Sequence, residues 1–415
     1  MSFGFVLKST QATIPAILLA QNTNNLISDC KLYGSKAIRT TGIVVKNASL
    51  VLKDSRIEGF NKMGVTMWLN EKDACNIYNA KVTNNKMAGI QIIGESKSPI
   101  IELCTIENNK GAGIQLLLGN KSTVTKNKIT GNGCGLEIVS SDSLILKNEI
   151  NMNLESGIKT DVVSDLLCSP TITNNIISSN NHYGVHVFGK NNSTKIEGNS
   201  EISYNKLAGI RCQKDEANIG DQTNESEKGM VVLKNNIFKN IHQGVLISEG
   251  SFAHIENNTI HGNIKANVAL GGVQSSNTVI VNNRIYGGRC EGIFIVEGGY
   301  CIINQNKVYS NYDGIVCACS VPNISDNKIR KNKRCGVIVI KDSRPGMFNN
   351  KIYKNEEVGL YIKDKSKGKY VNNLIKDNPI ELIVERKDPD LANIHKTNPI
   401  FGEIRTPQTY SCCIM

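Results

Sequence analysis

Residues Asn350–Ile362 read N-K-I-Y-K-N-E-E-V-G-L-Y-I, and this stretch decides the fold. Gly359 is followed by Leu360 and then, two positions on, by Ile362, with Tyr361 between them. Such alternation marks a strand with one buried face. Seven residues before the glycine stands Ile352, the centre of a second short apolar segment. Four before it stands Asn355. Segments this short bury almost nothing alone, so the unit makes sense only as one member of a stack.

The same unit recurs down the chain. Its glycine is found at Gly42, Gly64, Gly89, Gly113, Gly135, Gly157, Gly184, Gly209, Gly244, Gly292, Gly314, Gly336 and Gly359, mostly 22 to 27 residues apart. The interval from Gly209 to Gly244 holds an insertion. That from Gly244 to Gly292 is two periods, with Asn267 in the glycine's place. An aliphatic residue follows every repeat glycine, and an asparagine precedes most by four (Asn85, Asn109, Asn153, Asn180, Asn205, Asn240, Asn332, Asn355). Stacked at about 4.8 Å per turn, each strand pairs with its neighbours above and below. The asparagines can donate and accept along the stack, and the glycine is expected to take a turn conformation that a Cβ would penalise. The fold expected is an all-β, right-handed parallel β-helix, a pectin-lyase-like solenoid of about fourteen coils. Residues 26–385 form the β-helix. Residues 1–25 read as an N-terminal cap, with Ile14, Ile17 and Leu18 on a short helix behind Thr13 and Pro15. Residues 386–415 read as a C-terminal cap and tail.

Charge and cysteine content narrow the class. The formal net charge is +11, and from Lys328 to Arg405 there are 18 Lys/Arg against 10 Asp/Glu. A basic end favours an anionic partner or membrane face. No basic motif interleaved with aromatics points to nucleic acid. The 13 cysteines are scattered, without metal-ligand spacing, so neither a metal nor another cofactor is expected. With no signal-peptide layout and no long apolar run, a reducing cytoplasmic setting is expected.

Residues two and four after each glycine point outward and write the surface of one sheet. The first column changes character along the chain. Its early part holds Gln91, Gln115, Glu137, Lys159, His186 and Arg211; its later part holds Leu246, Ala269, Phe294, Val316, Ile338 and Tyr361. Exposed apolar patches of that extent mark a partner surface or a covered one, and the segment N-P-I-E-L-I-V-E-R-K-D-P-D-L-A-N-I-H-K-T-N-P-I-F (378–401) is a possible cover. The expected partner-binding residues are Leu246, Phe294, Val316, Ile338 and Tyr361. The polar half admits an enzyme reading: Glu137 and Asp161 as the two carboxylates of an inverting glycosidase, Lys159 or His186 as a lyase base, and Arg211 beside them. Solvent-facing strand positions are ordinarily polar, however, so a plain solvated surface explains this row equally simply.

The segments N-K-I-T-G-N-G-C-G-L-E-I (127–138), N-K-I-R-K-N-K-R-C-G-V-I-V-I (327–340) and 350–362 resemble right-handed parallel β-helix (PbH1-type) repeat proteins over roughly residues 30–385. Their cadence is most similar to the β-helices of F-box-only ubiquitin-ligase adaptors and of Shc-binding β-helix proteins. That resemblance implies partner binding, and a link to ubiquitin-ligase substrates, rather than chemistry. Pectin hydrolases, pectate lyases and alginate-modifying enzymes are other relatives of the fold. Polygalacturonase signatures such as Gly-His-Gly and Arg-Ile-Lys do not occur here.

The chain ends S-C-C-I-M, and Cys412 opens a C-a-a-X sequence with X = Met, a farnesylation signal in a eukaryotic cytosol. One prenyl chain anchors only marginally. Cys413, as a second acylation site, and Lys363, Lys365, Lys367 and Lys369, facing anionic lipid, are the expected reinforcements. The sequence reading is therefore a non-catalytic scaffold that binds a protein partner and is tethered to a membrane. A polysaccharide lyase, glycosidase or epimerase is the alternative.

Overall fold

The computed structural model describes residues 6–8, 16–21, 24–35, 39–95, 98–164, 166–214, 229–272, 277–297, 300–385 and 394–406. Two compact units divide the chain, Met1–Lys206 and Leu207–Met415, and both are parallel β-helices.

In the first unit a representative coil runs Val65–Trp68, Cys75–Tyr78, Lys81–Thr83. These three strands pair in parallel with Ile90–Ile93, Ile100–Glu102 and Thr105–Glu107 of the next coil. Three ladders result: a glycine sheet behind the repeat glycine, a middle sheet, and an isoleucine sheet. The second unit repeats the plan. Ile315–Ala318, Asn323–Ser325 and Lys328–Arg330 pair with Cys335–Ile340, Gly346–Phe348 and Lys351–Tyr353. The strands of the two units amount to about fifteen turns, slightly more than the sequence suggested.

Alternation does what the pattern requires. Ile90, Ile92, Ile101 and Ile106 of one coil are all at most 1% exposed, as are Ile315, Cys317, Ile324 and Ile329 in the second unit. Each coil contributes a layer of β-branched side chains, which pack well on a pleated surface. Two asparagine ladders close the turns. One runs Asn85, Asn109, Asn132, Asn153, Asn180 and Asn205, each amide donating to the next carbonyl oxygen at 2.8 to 3.3 Å. The other stands two residues before the central isoleucine, or three at Asn199: Asn127 donates to Asn148, Asn148 to Asn175, and Asn175 to Asn199. Each oxygen also receives a backbone N–H, as Asn148 does from Asn127. These polar side chains are thus buried at little cost.

The structure changes three expectations. The repeat glycines are needed for space and not for a special conformation. A Cβ on Gly89 would lie 2.7 Å from the carbonyl oxygen of Gly113 and 2.8 Å from the Asn109 amide nitrogen. Positive φ falls instead on residues such as Asn84 and Asn108, just before the ladder asparagines. No helix forms over Ile17 and Leu18, because Ala16–Gln21 is a strand paired with Thr41–Lys46. Apolar residues over two turns of helix and over a buried strand look alike in so short a run. Finally, the described parts of 378–401 do not fold back over the sheet. Ile380–Val384 and Ile400–Phe401 add rungs, and Asn398 extends the second ladder from Asn373. Pairing therefore reaches both into the expected N-terminal cap and past residue 385.

Candidate functional site

Strand pairing in the second unit lines up one outward column on the glycine sheet: Leu246, Ala269, Phe294, Val316, Ile338, Tyr361 and Ile383 occupy successive rungs. The expected apolar stripe is real and runs one rung further than the sequence suggested. Val316 and Ile338 point outward yet are only 5% exposed, because Phe294, Ile340, Tyr361, Ile380 and Ile383 pack around them.

The column forms the floor of a groove of about 700 Å³, a size that holds a short segment of chain or a small ligand. Phe294, Val316, Ile338 and Tyr361 line it, whereas Leu246 stands in the same column outside it. One wall is charged. Asp313, 1% exposed, accepts from Arg334 through both oxygens, with Nε at 3.0 Å, and also from the Cys335 backbone N–H at 3.1 Å. The Arg334 guanidinium lies 5.0 Å over the Tyr312 ring. Its pKa is driven upward by the Asp313 hydrogen bond, so this pair is a fixed, neutralised element of the wall. Cys335 lines the groove as an inert thiol, with burial pushing its pKa up to about 12. Glu291, Glu356 and Glu357 sit on the rim, and none is in an ion pair among the described residues. Lys363 is the rim's cation, 5.9 Å from the Tyr361 ring. The Tyr361 hydroxyl donates to Glu385.

Sequence reasoning found the floor and missed the wall. A signal was present: the residue just before the repeat glycine is small at Ala88, Ala112 and Ala208 but acidic at Glu291 and Asp313.

Four of the five enzyme candidates form a contiguous row in the first unit, and Arg211 lies in the second. In the first unit Gln91 donates to Gln115 at 2.9 Å, and Gln115 donates to Glu137 at 2.6 Å. Lys159 stands one rung beyond Glu137 and pairs with Asp161 at 3.0 Å. Burial disfavours the Lys159 ammonium, but Asp161 and Glu137 outweigh it and raise its pKa. Lys159 therefore keeps its proton at neutral pH and is a poor base, contrary to that part of the lyase reading. His186, one rung further, packs 4.8 Å from the Tyr183 ring and 6.1 Å from that of Phe188. Arg211 belongs to the second unit, where Glu249 neutralises it at 3.0 Å. Cys412 and Cys413 lie outside the described residues, as do the acidic positions Asp215, Glu216, Asp221, Glu225 and Glu227 of the insertion. Among the described residues no cluster of His, Cys, Asp or Glu could hold a metal ion.

Fold and groove together define a β-solenoid with a ligand-sized cleft on one sheet. The chain belongs to the right-handed β-helix family: the model of the right-handed β-helix region matches residues 11–150, 41–200, 169–279 and 268–401. No curated protein matches the chain. Among solved structures it is similar to the periplasmic alginate epimerase AlgG, at 12% identity over 82% of this chain and 77% of that one, with a TM-score of 0.43. It is also similar to the A-module of the Azotobacter vinelandii mannuronan C-5 epimerase AlgE6, at 12% identity over 81% and 90% with a TM-score of 0.42. A third is pectate lyase Pel9A, at 11% identity over 74% and 69% with a TM-score of 0.28. Likeness of this degree carries no inference about chemistry. The narrower kinship with F-box-only and Shc-binding β-helices finds no support in these comparisons.

Proposed function

We propose that this chain is a binding β-helix whose site is the groove of the second unit, and that the groove takes an apolar peptide segment flanked by Lys or Arg. The observation that carries this is the pairing of an apolar floor (Phe294, Val316, Ile338, Tyr361) with an acidic rim (Glu291, Glu356, Glu357). Covering the half-buried rings of Phe294 and Tyr361 supplies affinity, at roughly 25 cal/mol per Å² of apolar surface covered, while the buried Val316 and Ile338 shape the floor beneath them. The rim carboxylates select the sign of the flanking charge. Fluorescence anisotropy with a labelled peptide of Leu and Ile between lysines tests it. Binding should weaken at least tenfold in Phe294→Asp, and Glu356→Lys with Glu357→Lys should reverse the charge preference. Equal binding of Lys-flanked and Glu-flanked peptides by the unaltered protein would rule the reading out.

A second reading is supported by one observation: the polar row Gln91, Gln115, Glu137 and Lys159, with Asp161 beside it, on the glycine sheet of the first unit. Such a row suits a polysaccharide chain laid along the rungs, and it would give this protein an activity of the kind named for the alginate epimerases and the pectate lyase. Lys159 would then act as a fixed positive charge toward a uronate and not as the base. Turnover on uronate and neutral glycan panels, abolished by Glu137→Gln, would establish it. A complete lack of turnover would dismiss it.

A further inference from the structure

The isoleucine sheet of the second unit presents two outward columns on either side of its buried isoleucines. In the first, Arg284, Lys307, Lys328 and Lys351 occupy four successive rungs, and all four are exposed. In the second, Phe238, His261, Tyr286 and Tyr309 stack face to face at 4.8 to 5.1 Å with interplanar angles of 2 to 7°. Arg330 continues that stack 5.0 Å over Tyr309, and Tyr353 follows on the next rung. Beyond the second column, Lys331 and Lys354 add two more exposed cations.

Lys307, Lys328, Lys331, Lys351 and Lys354 form no ion pair among the described residues. In sequence, Asp326 stands two residues before Lys328, and Asp377, one coil beyond Lys354, is engaged by Lys376 at 3.4 Å. Seven cations are thus held on a face where register, rung after rung, keeps the backbone in step. The stacked rings turn their positive edges outward. The Tyr309 hydroxyl accepts from Arg284 at 3.5 Å, so the aromatic and cationic columns meet at their polar tips. A line of cations would suit a polymer; cations on both sides of an aromatic column make a patch with width as well as length.

We infer that this face docks on a bilayer bearing acidic phospholipid headgroups. Clusters of four to eight basic residues are what such a surface attracts, each contributing through the negative surface potential. Tyrosine is the aromatic suited to that depth, apolar in its ring and polar at its tip. The docking face is on a different sheet from the peptide groove, and it does not depend on modification of Cys412.

Vesicle co-sedimentation of the full, unlipidated chain tests this, with phosphatidylcholine vesicles compared with phosphatidylcholine–phosphatidylserine vesicles. The protein should pellet with the phosphatidylserine vesicles alone and be released as salt is raised. Lys307→Gln with Lys328→Gln and Lys351→Gln should weaken partitioning roughly a hundredfold at low salt, while the same three positions changed to Arg should retain it. Thermal unfolding of each variant confirms that it is folded. Undiminished binding by the Gln variant would overturn the inference. So would failure of the unaltered protein to pellet, or retention on soluble heparin without retention on vesicles.

Discussion

Asn267 supplies the amide that Gly288 lacks. In the coil of Gly292 the ladder position four residues earlier is Gly288, which would leave a gap between Asn263 and Asn311. The Asn267 side chain fills it, accepting from the Asn263 amide at 2.8 Å and donating to Asn311 at 2.9 Å. A Cβ on Gly288 would lie 2.8 Å from the Asn267 amide nitrogen. The two irregular positions are therefore one exchange: an asparagine where the glycine belongs, and a glycine where the asparagine belongs.

That exchange predicts a strong coupling. Asn267→Gly leaves the buried Asn263 side-chain amide without its acceptor, at about 1–3 kcal/mol, although the Asn311 oxygen keeps the Gly288 backbone N–H; Gly288→Asn alone introduces a clash. Made together, the two changes restore the regular pattern of the other coils. Thermal unfolding of the four proteins should show a double variant more stable than the sum of the single effects, by about 1 kcal/mol or more. Additive losses would show that the ladder is not continuous here.

Glu381 ends the same ladder. It is 1% exposed and accepts from Asn378 through both oxygens, at 3.1 and 2.6 Å. Burial raises its pKa above the ordinary carboxylate value, although the Asn378 hydrogen bonds oppose the shift. An acid whose folded pKa is raised contributes its stability below the unfolded value and loses it as pH rises through the folded one. The melting temperature of the unaltered protein, relative to that of Glu381→Gln, should therefore fall as pH rises above the ordinary glutamate pKa of about 4.3. A difference that does not change with pH would contradict this.

All described cysteines are free, and burial sets their reactivity. Burial pushes the thiol pKa to about 12 at Cys104 and Cys301 and to about 11 at Cys75, Cys168 and Cys212. Because the thiolate is the reactive form, among the described cysteines iodoacetamide should modify exposed Cys319 first and half-buried Cys290 more slowly. The buried set should react only after unfolding, as peptide mass mapping would show. Early labelling of Cys104 or Cys301 would mean that the coils open locally.

The solenoid was legible because each coil repeats one rule: Ile352, Gly359, Leu360 and Ile362 carry it in a single line of sequence. The second asparagine ladder was equally present, in pairs such as Asn349-Asn350 and Asn372-Asn373, but many of these asparagines are the polar residues expected of a turn. The floor of the groove could be read from Phe294, Val316, Ile338 and Tyr361 because strand alternation assigns their direction. Its wall was missed although Asp313 departs from the small residue usual before the repeat glycine: its partner Arg334 is 21 residues on, one coil away, at a turn position whose direction strand alternation does not assign. The N-terminal strand at Ala16–Gln21 was misread because so short an apolar run fits either period.

Two positions on the floor of the groove should respond differently to substitution, because one is buried and the other half-buried. Ile338 is 5% exposed and packed on Val316, Cys335 and Val358. Ile338→Ala should cost about 2–4 kcal/mol of stability, read as a lower melting temperature. Phe294→Asp, at a half-buried position, should change stability far less while removing ligand binding. Comparable losses for both would make the column a structural layer and not a site.

The most direct measurement is selection of peptides from a random display library on the full folded chain, with Phe294→Asp/Glu356→Lys/Glu357→Lys as the counter-target. Apolar segments with flanking Lys or Arg should be enriched and should bind the unaltered protein at least tenfold more tightly than the counter-target. Enriched sequences without that pattern, or peptides that bind both proteins alike, would contradict that expectation.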